Sequence, residues 1–109
     1  MKRISFVDRS LNDLKQFPED ARREAGYQLD KVQRGFDPAD WKPMKTVGAG
    51  VSEIRIKDDQ GIYRVIYITK YANTVFVLHA FKKKSQKTAK KDLEIARKRL
   101  KVVIQEVQS

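Results

Sequence analysis

The sequence predicts an α+β fold, an antiparallel sheet with helices packed on one of its faces. Two observations carry this. Between Val51 and Lys82 apolar residues alternate at period two, and two turn signals cut the run into three strands. On either side of that run apolar residues recur at spacings of three and four, the pattern of amphipathic helices. A chain of 109 residues then makes one domain, 1–109, with a single modest core.

Each element has its own signal. Lys2 to Val7 reads as a strand with Ile4 and Phe6 on one face. Asp8 is placed to N-cap a short helix bearing Leu11 and Leu14, which Phe17-Pro18 ends. Pro18 suits the first turn of the next helix, where Glu19 and Asp20 face the positive end of the helix dipole. Ala21, Ala25, Leu29 and Val32 form its apolar face and Gly35 closes it. Pro38, Pro43, Gly48 and Gly50 mark residues 36–50 as a loop.

Three strands follow. In the first, Ile54 and Ile56 lie on one side and Glu53, Arg55 and Lys57 on the other; Asp58-Asp59-Gln60-Gly61 turns the chain. The second, Ile62 to Thr69, is apolar on both faces and therefore central, with Arg64 interrupting one of them. After Ala72-Asn73 the third strand, Thr74 to Lys82, sets Val75, Val77, His79 and Phe81 opposite Phe76, Leu78 and Ala80. Thr88 is placed to N-cap a last helix with Leu93, Ala96, Leu100, Val103 and Val107 inward and a basic outer face. The predicted order is β-α-α-β-β-β-α.

Charge gives the first functional signal. The net charge is +10; residues 1–60 hold 12 basic and 11 acidic side chains, whereas residues 61–109 hold 12 and 3. The second half therefore carries nearly all of the field, and a polyanion is the expected partner. The absence of cysteine excludes disulfides, thiolate zinc sites and cysteine nucleophiles, and a single histidine argues against a histidine metal cluster. No metal or cofactor is expected. No apolar run of ~18 residues exists to span a membrane, and no apolar stretch behind Met1 reads as a secretory leader. The expected setting is the reducing cytoplasm.

The sheet and its exit hold the candidate chemistry. Arg64 within an otherwise apolar strand needs either a carboxylate partner, with Glu53 the nearest in pattern, or an anion-binding cleft. Its planar fork suits phosphate. Lys82-Lys83-Lys84-Ser85-Gln86-Lys87-Thr88 leads into Lys90 and Lys91 of the last helix, a connector with the makings of a phosphate clamp. His79 is a candidate general base or a core histidine. Phe81, at the end of its strand beside the lysines, is the aromatic best placed to stack on a base, while Tyr63, Tyr67 and Phe76 read as core. Asp58 and Asp59 read as turn residues. No Gly-rich phosphate loop, HExxH or G-x-S-x-G motif occurs.

The runs Glu53-Ile54-Arg55-Ile56-Lys57-Asp58, Gly61-Ile62-Tyr63-Arg64-Val65-Ile66-Tyr67 and Leu78-His79-Ala80-Phe81-Lys82-Lys83-Lys84-Ser85-Gln86-Lys87-Thr88 resemble the RelE/ParE toxin superfamily, closest to its phage-related HigB-like branch. The resemblance spans essentially the whole chain. It implies a toxin of a type II toxin–antitoxin pair, held in a hetero-oligomer by an antitoxin with a helix-turn-helix module. It also implies cleavage of mRNA in the ribosomal A site by metal-independent attack of a 2′-OH on the adjacent phosphate. Arg64 then matches the family's strand arginine. Arg55, Lys82 and Lys83 would join it at the reacting phosphate, and Lys57, Lys84, Lys87, Lys90 and Lys91 would hold the RNA. The family's tyrosine or histidine near the last helix has no counterpart after Tyr71 and His79, which leaves the general base to a lysine of lowered pKa or to His79. Two other functions compete: a ParE-like gyrase poison, which needs no cation cluster around a cleft, and a nucleic-acid-binding domain without catalysis.

Overall fold

The computed structural model describes residues 1–108. Its elements are β1 (Arg3–Phe6), α1 (Ser10–Lys15), α2 (Glu19–Gln33), β2 (Trp41–Pro43), β3 (Val51–Asp58), β4 (Gly61–Ile68), β5 (Thr74–Lys83) and α3 (Lys90–Gln108). The fold class is the expected α+β, and the three-stranded meander β3-β4-β5 forms as the alternation predicts.

The sheet is larger and less uniform than the sequence pattern gave. It has five strands in the order β1-β5-β4-β3-β2. The added strand β2 lies in the stretch expected to be loop, pairing antiparallel with β3 through Trp41↔Ile54 and Pro43↔Ser52. Three residues are too few to show an alternation, and Pro43 reads as a breaker unless it sits on an edge, where it does. The second correction is to the wholly antiparallel sheet. β1 runs parallel to β5, with Arg3 opposite Thr74 and Phe6 opposite Val77. The helical hairpin α1–α2 gives β1 the long connection that a parallel neighbour requires.

The helices pack on both faces, not one. On one side Ala21, Ala25, Leu29 and Val32 of α2 cover Ile54, Ile56, Tyr63, Val65 and Val77. On the other, Ala96, Leu100 and Val103 of α3 cover Val51, Ile66, Ile68, Phe76 and Leu78. The two-sided apolar character of β4 required this, since each buried aliphatic side chain is worth about 1.5–3 kcal/mol only when both faces are covered.

Local signals were kept or displaced for identifiable reasons. Gly35 ends α2 with φ +91°; its N–H reaches the Val32 carbonyl and the Phe36 N–H reaches that of Lys31, a Schellman closure. Asp58 accepts from the N–H groups of Gln60 and Gly61, making the predicted turn. Asp8 does not cap α1: the N-cap is Arg9, without a side-chain bond, and Asp8 takes φ +53°. Thr88 also falls outside the cap position, because α3 closes its first turn on the Ala89 carbonyl.

Candidate functional site

Strand register assembles a charged surface on the α3 side of the sheet. Lys42, Glu53, Ile66 and His79 form one row across β2-β3-β4-β5; Arg55, Arg64 and Phe81 form the next; Lys57, Ile62 and Lys83 the last. Arg55 and Lys57 are exposed, Lys83 is half-buried, and Glu53 and Arg64 lie underneath at 0% and 4% exposure. Strand pairing thus adds Arg64 and Lys83 to the face on which the alternation had set Glu53, Arg55 and Lys57.

Arg64 pairs with Glu53, Nε to Oε1 at 3.2 Å, and donates from Nη1 to the Tyr63 carbonyl at 3.1 Å. The pair meets as charges and not as an aligned hydrogen bond, leaving both Glu53 oxygens and Arg64 Nε without hydrogen-bond partners. Burial lowers the Arg64 pKa, and the Glu53 carboxylate opposes that shift. The carboxylate alternative for Arg64 is therefore realised, with the arginine buried beneath the exposed cations.

Lys83 is the amine of special character. Partial burial lowers its pKa first, and Arg64, Lys42 and Arg55 push it the same way against the pull of Glu53. Lys83, Lys42 and Lys87 line a groove of about 690 Å³ with Lys45, Gln86 and Thr88. Lys42 and Lys45 were missed in the sequence because they lie in a stretch whose overall charge is near neutral. Lys84 and Lys87 are exposed on the connector. Lys91 lines a neighbouring hollow of about 630 Å³ with Lys82, Lys84 and Ser85, and exposed Lys90 lies 4.0 Å from Glu94.

Three predicted residues sit elsewhere. Lys82 is opposite Tyr63 in register, on the α1–α2 side of the sheet, so it and Lys83 leave the strand on opposite faces. Phe81 is buried, packed among the α3-side core residues and stacked on His79 at 5.0 Å between ring centroids; no free stacking face is left. His79 does not continue the face of Val75 and Val77. The pairing steps from Ile66↔His79 to Tyr67↔Val77, so Leu78 is a bulge residue that resets the alternation.

His79 is buried beneath α3, with Nε2 2.8 Å from Asp92 and Nδ1 3.5 Å from Asp13. Arg99 completes the cluster, donating from Nη1 to Asp13 and to the Leu78 carbonyl, each at 2.9 Å. The histidine thus fastens β5 to α1 and α3, away from solvent. Sequence spacing gave no hint of Asp13, Asp92 or Arg99 as partners, since they come together only through the tertiary fold.

No group of residues among those described could hold a metal ion, and no described helix is long and apolar enough to cross a membrane. The arrangement offers a cluster of cations, one of them an amine whose pKa is lowered, along a groove of about 690 Å³.

Comparisons with known proteins agree with the fold. Residues 12–101 match the model of the family described as Phage derived protein Gp49-like (DUF891). No curated protein matches the chain. Among solved structures, the isolated E. coli RelE toxin is similar over 79% of this chain and 89% of its own, with TM-score 0.58 and 20% identity. A chain of the intact E. coli RelBE toxin–antitoxin complex is similar over 78% of this chain and 100% of its own, with TM-score 0.55 and 17% identity. A doubly arginine-substituted E. coli RelE in the free state is similar over 94% and 97%, with TM-score 0.63 and 15% identity. With its family matched along most of its length, the chain belongs to the phage-derived Gp49-like family, and it shares the fold of RelE.

Proposed function

We propose that the protein is the toxin of a toxin–antitoxin pair and a ribosome-dependent endoribonuclease. The observation that carries this reading is the set of cations on the α3 side of the sheet, with half-buried Lys83 among them at a lowered pKa. Neutral Lys83 takes the proton from a 2′-OH; the resulting oxyanion attacks the adjacent phosphorus, and the 5′-oxygen leaves with a proton from a neighbouring ammonium or water. The products are a 2′,3′-cyclic phosphate and a free 5′-hydroxyl. Charge accumulating on the phosphoryl oxygens is met by Arg55, Lys57 and the exposed lysines of the groove. Arg64 acts from beneath, holding positive potential under the phosphate and Lys83 toward its neutral form. Likeness to RelBE supports a partner antitoxin. In this reading it carries a helix-turn-helix module and lays an acidic segment along the basic groove.

Primer extension on an mRNA in a cell-free translation reaction tests the proposal, with the wild type, with Lys83→Ala and with ribosomes omitted. Cuts that need ribosomes and disappear with Lys83→Ala are expected. Intact mRNA with folded wild-type protein overturns the nuclease reading and makes DNA supercoiling by gyrase the next assay.

A further inference from the structure

Glu53 is the one buried carboxylate among the described residues. Lys42 stands opposite it on β2, and Arg64 lies diagonally across on β4. The side chain is fully enclosed, yet neither of its oxygens has a hydrogen-bond partner, and the Arg64 Nε at 3.2 Å has none either. Polar atoms in that state are rare in protein interiors. An arginine–carboxylate pair built for strength takes the bidentate form, with two parallel N–H···O bonds. Here the guanidinium turns Nη1 back to the Tyr63 carbonyl instead. Enclosed ion pairs of this kind are often no more stable than apolar side chains of the same volume. Stability therefore does not account for Glu53.

Its position relative to Lys83 does. Glu53 shares its face of β3 with Arg55 and Lys57, and the pairing of β4 and β5 brings Arg64 and Lys83 onto the same face. Arg64, Lys42 and Arg55 act on the Lys83 ammonium as like charges, against which Glu53 is the negative one. Lys45 and Lys87 add positive charge along the groove. On the α3 side Lys91 and Asp92 line the adjoining hollow, with the carboxylate held by His79 at 2.8 Å. A lysine among cations alone parts with its proton easily and is, for the same reason, a poor acceptor of the next one. An efficient general base lies between these extremes. An enclosed carboxylate, little screened by salt, supplies that balance.

We propose that Glu53 is a positioning residue of the cleavage site, fixing the Arg64 guanidinium beneath the cations and supplying the negative charge that offsets them at the Lys83 amine. The inference rests on the nuclease reading above. Glu53 itself is closed off from substrate and acts through Arg64 and Lys83. Its charge, more than its shape, is what the site requires.

Following the ε-methylene resonances of the full chain, labelled at lysine, against pH tests the coupling without cleavage; Lys83→Arg identifies the Lys83 signal. Glu53→Gln keeps the volume and removes the charge. Its Lys83 midpoint is expected at lower pH than in the wild type, because the ammonium has lost its counter-charge. Lys42→Gln removes a positive charge from an exposed position and should move the midpoint to higher pH. Lys31, on the α2 side, should not respond to either. Glu53→Met repeats the measurement where the amide is not accommodated, with the same direction expected. In the translation reaction Glu53→Gln should carry the rise of cleavage to lower pH and reduce its plateau about threefold with KM unchanged, and Glu53→Asp should restore the wild-type profile. An unmoved Lys83 midpoint without the Glu53 charge overturns the role, as do shifts of the same sign in Glu53→Gln and Lys42→Gln. A Glu53→Gln pH profile that coincides with that of the wild type overturns it too, leaving a purely structural pair. The two readings fail separately. A wild type that cuts no mRNA while the midpoints move as stated removes the nuclease and keeps the coupling of Glu53 to Lys83; unmoved midpoints with intact cleavage remove the role of Glu53 alone.

Discussion

The two faces of one sheet are built on different terms. Toward α2, the core is made of aliphatic and aromatic side chains, with Ala25, Ile54, Val65 and Val77 fully enclosed and no buried charge among the described residues. Toward α3, a comparable apolar cluster ends at a band holding every buried charged side chain described, Glu53, Arg64 and Arg99, together with the imidazole of His79. The α2 face can supply stability without constraint from chemistry. The α3 face keeps charges out of water, which weakens the fold, and in return creates an amine whose pKa departs from that of free lysine.

The widest separation between the faces should come from Lys83→Ala, expected to lower mRNA cleavage about 10³-fold while leaving the folded spectrum intact. The wild-type rate should rise with pH and level off below the ~10.4 of ordinary lysine, because the neutral amine is the active form. Stability follows the same group. A lysine pKa lowered in the folded state means that the unfolded chain binds more protons, so this group's contribution rises with pH between the lowered and the ordinary value.

Breaking the buried pair comes next. Arg64→Ala should cost about 4 kcal/mol in urea unfolding, since Glu53 is left enclosed and unpaired. Replacing both partners together, Glu53→Leu with Arg64→Leu, should recover most of that loss and abolish cleavage. On the α2 face Leu29→Ala should cost about 3 kcal/mol, with cleavage changed only as far as the folded fraction changes. His79→Asn should cost about 1–2 kcal/mol and speed hydrogen exchange in the first turn of α3, because the bond to Asp92 anchors that turn. The smallest effect is a gain: Ala72→Gly, at φ +55°, should stabilise the β4–β5 turn by about 1 kcal/mol.

Much of this comparison was legible in the sequence, and the parts that were not share a cause. The double-sided apolar pattern of β4 and the helical faces of α2 and α3 are periodic, and periodicity is local. The shared face of Glu53, Arg55 and Lys57 followed from alternation alone, whereas their rows with Arg64 and Lys83 needed the register. The parallel pairing of β1 with β5, the three-residue β2 and the cluster of His79 with Asp13, Asp92 and Arg99 depend on contacts between distant segments, which leave no periodic trace. Leu78 is the instructive failure. A bulge within a run apolar on both sides changes no hydrophobic letter, yet it moved His79 to the opposite face and Phe81 into the core.

The parallel pairing of β1 with β5 also bears on the order in which the protein can be finished during synthesis. β1 precedes its partner strand by some seventy residues, Arg3 beside Thr74, and the α3 face closes only once α3 has followed β5. Contacts of such long sequence separation cannot form before both segments have emerged. A nascent chain therefore carries no completed groove while α3 is still being translated, and whatever the groove binds must wait for that helix.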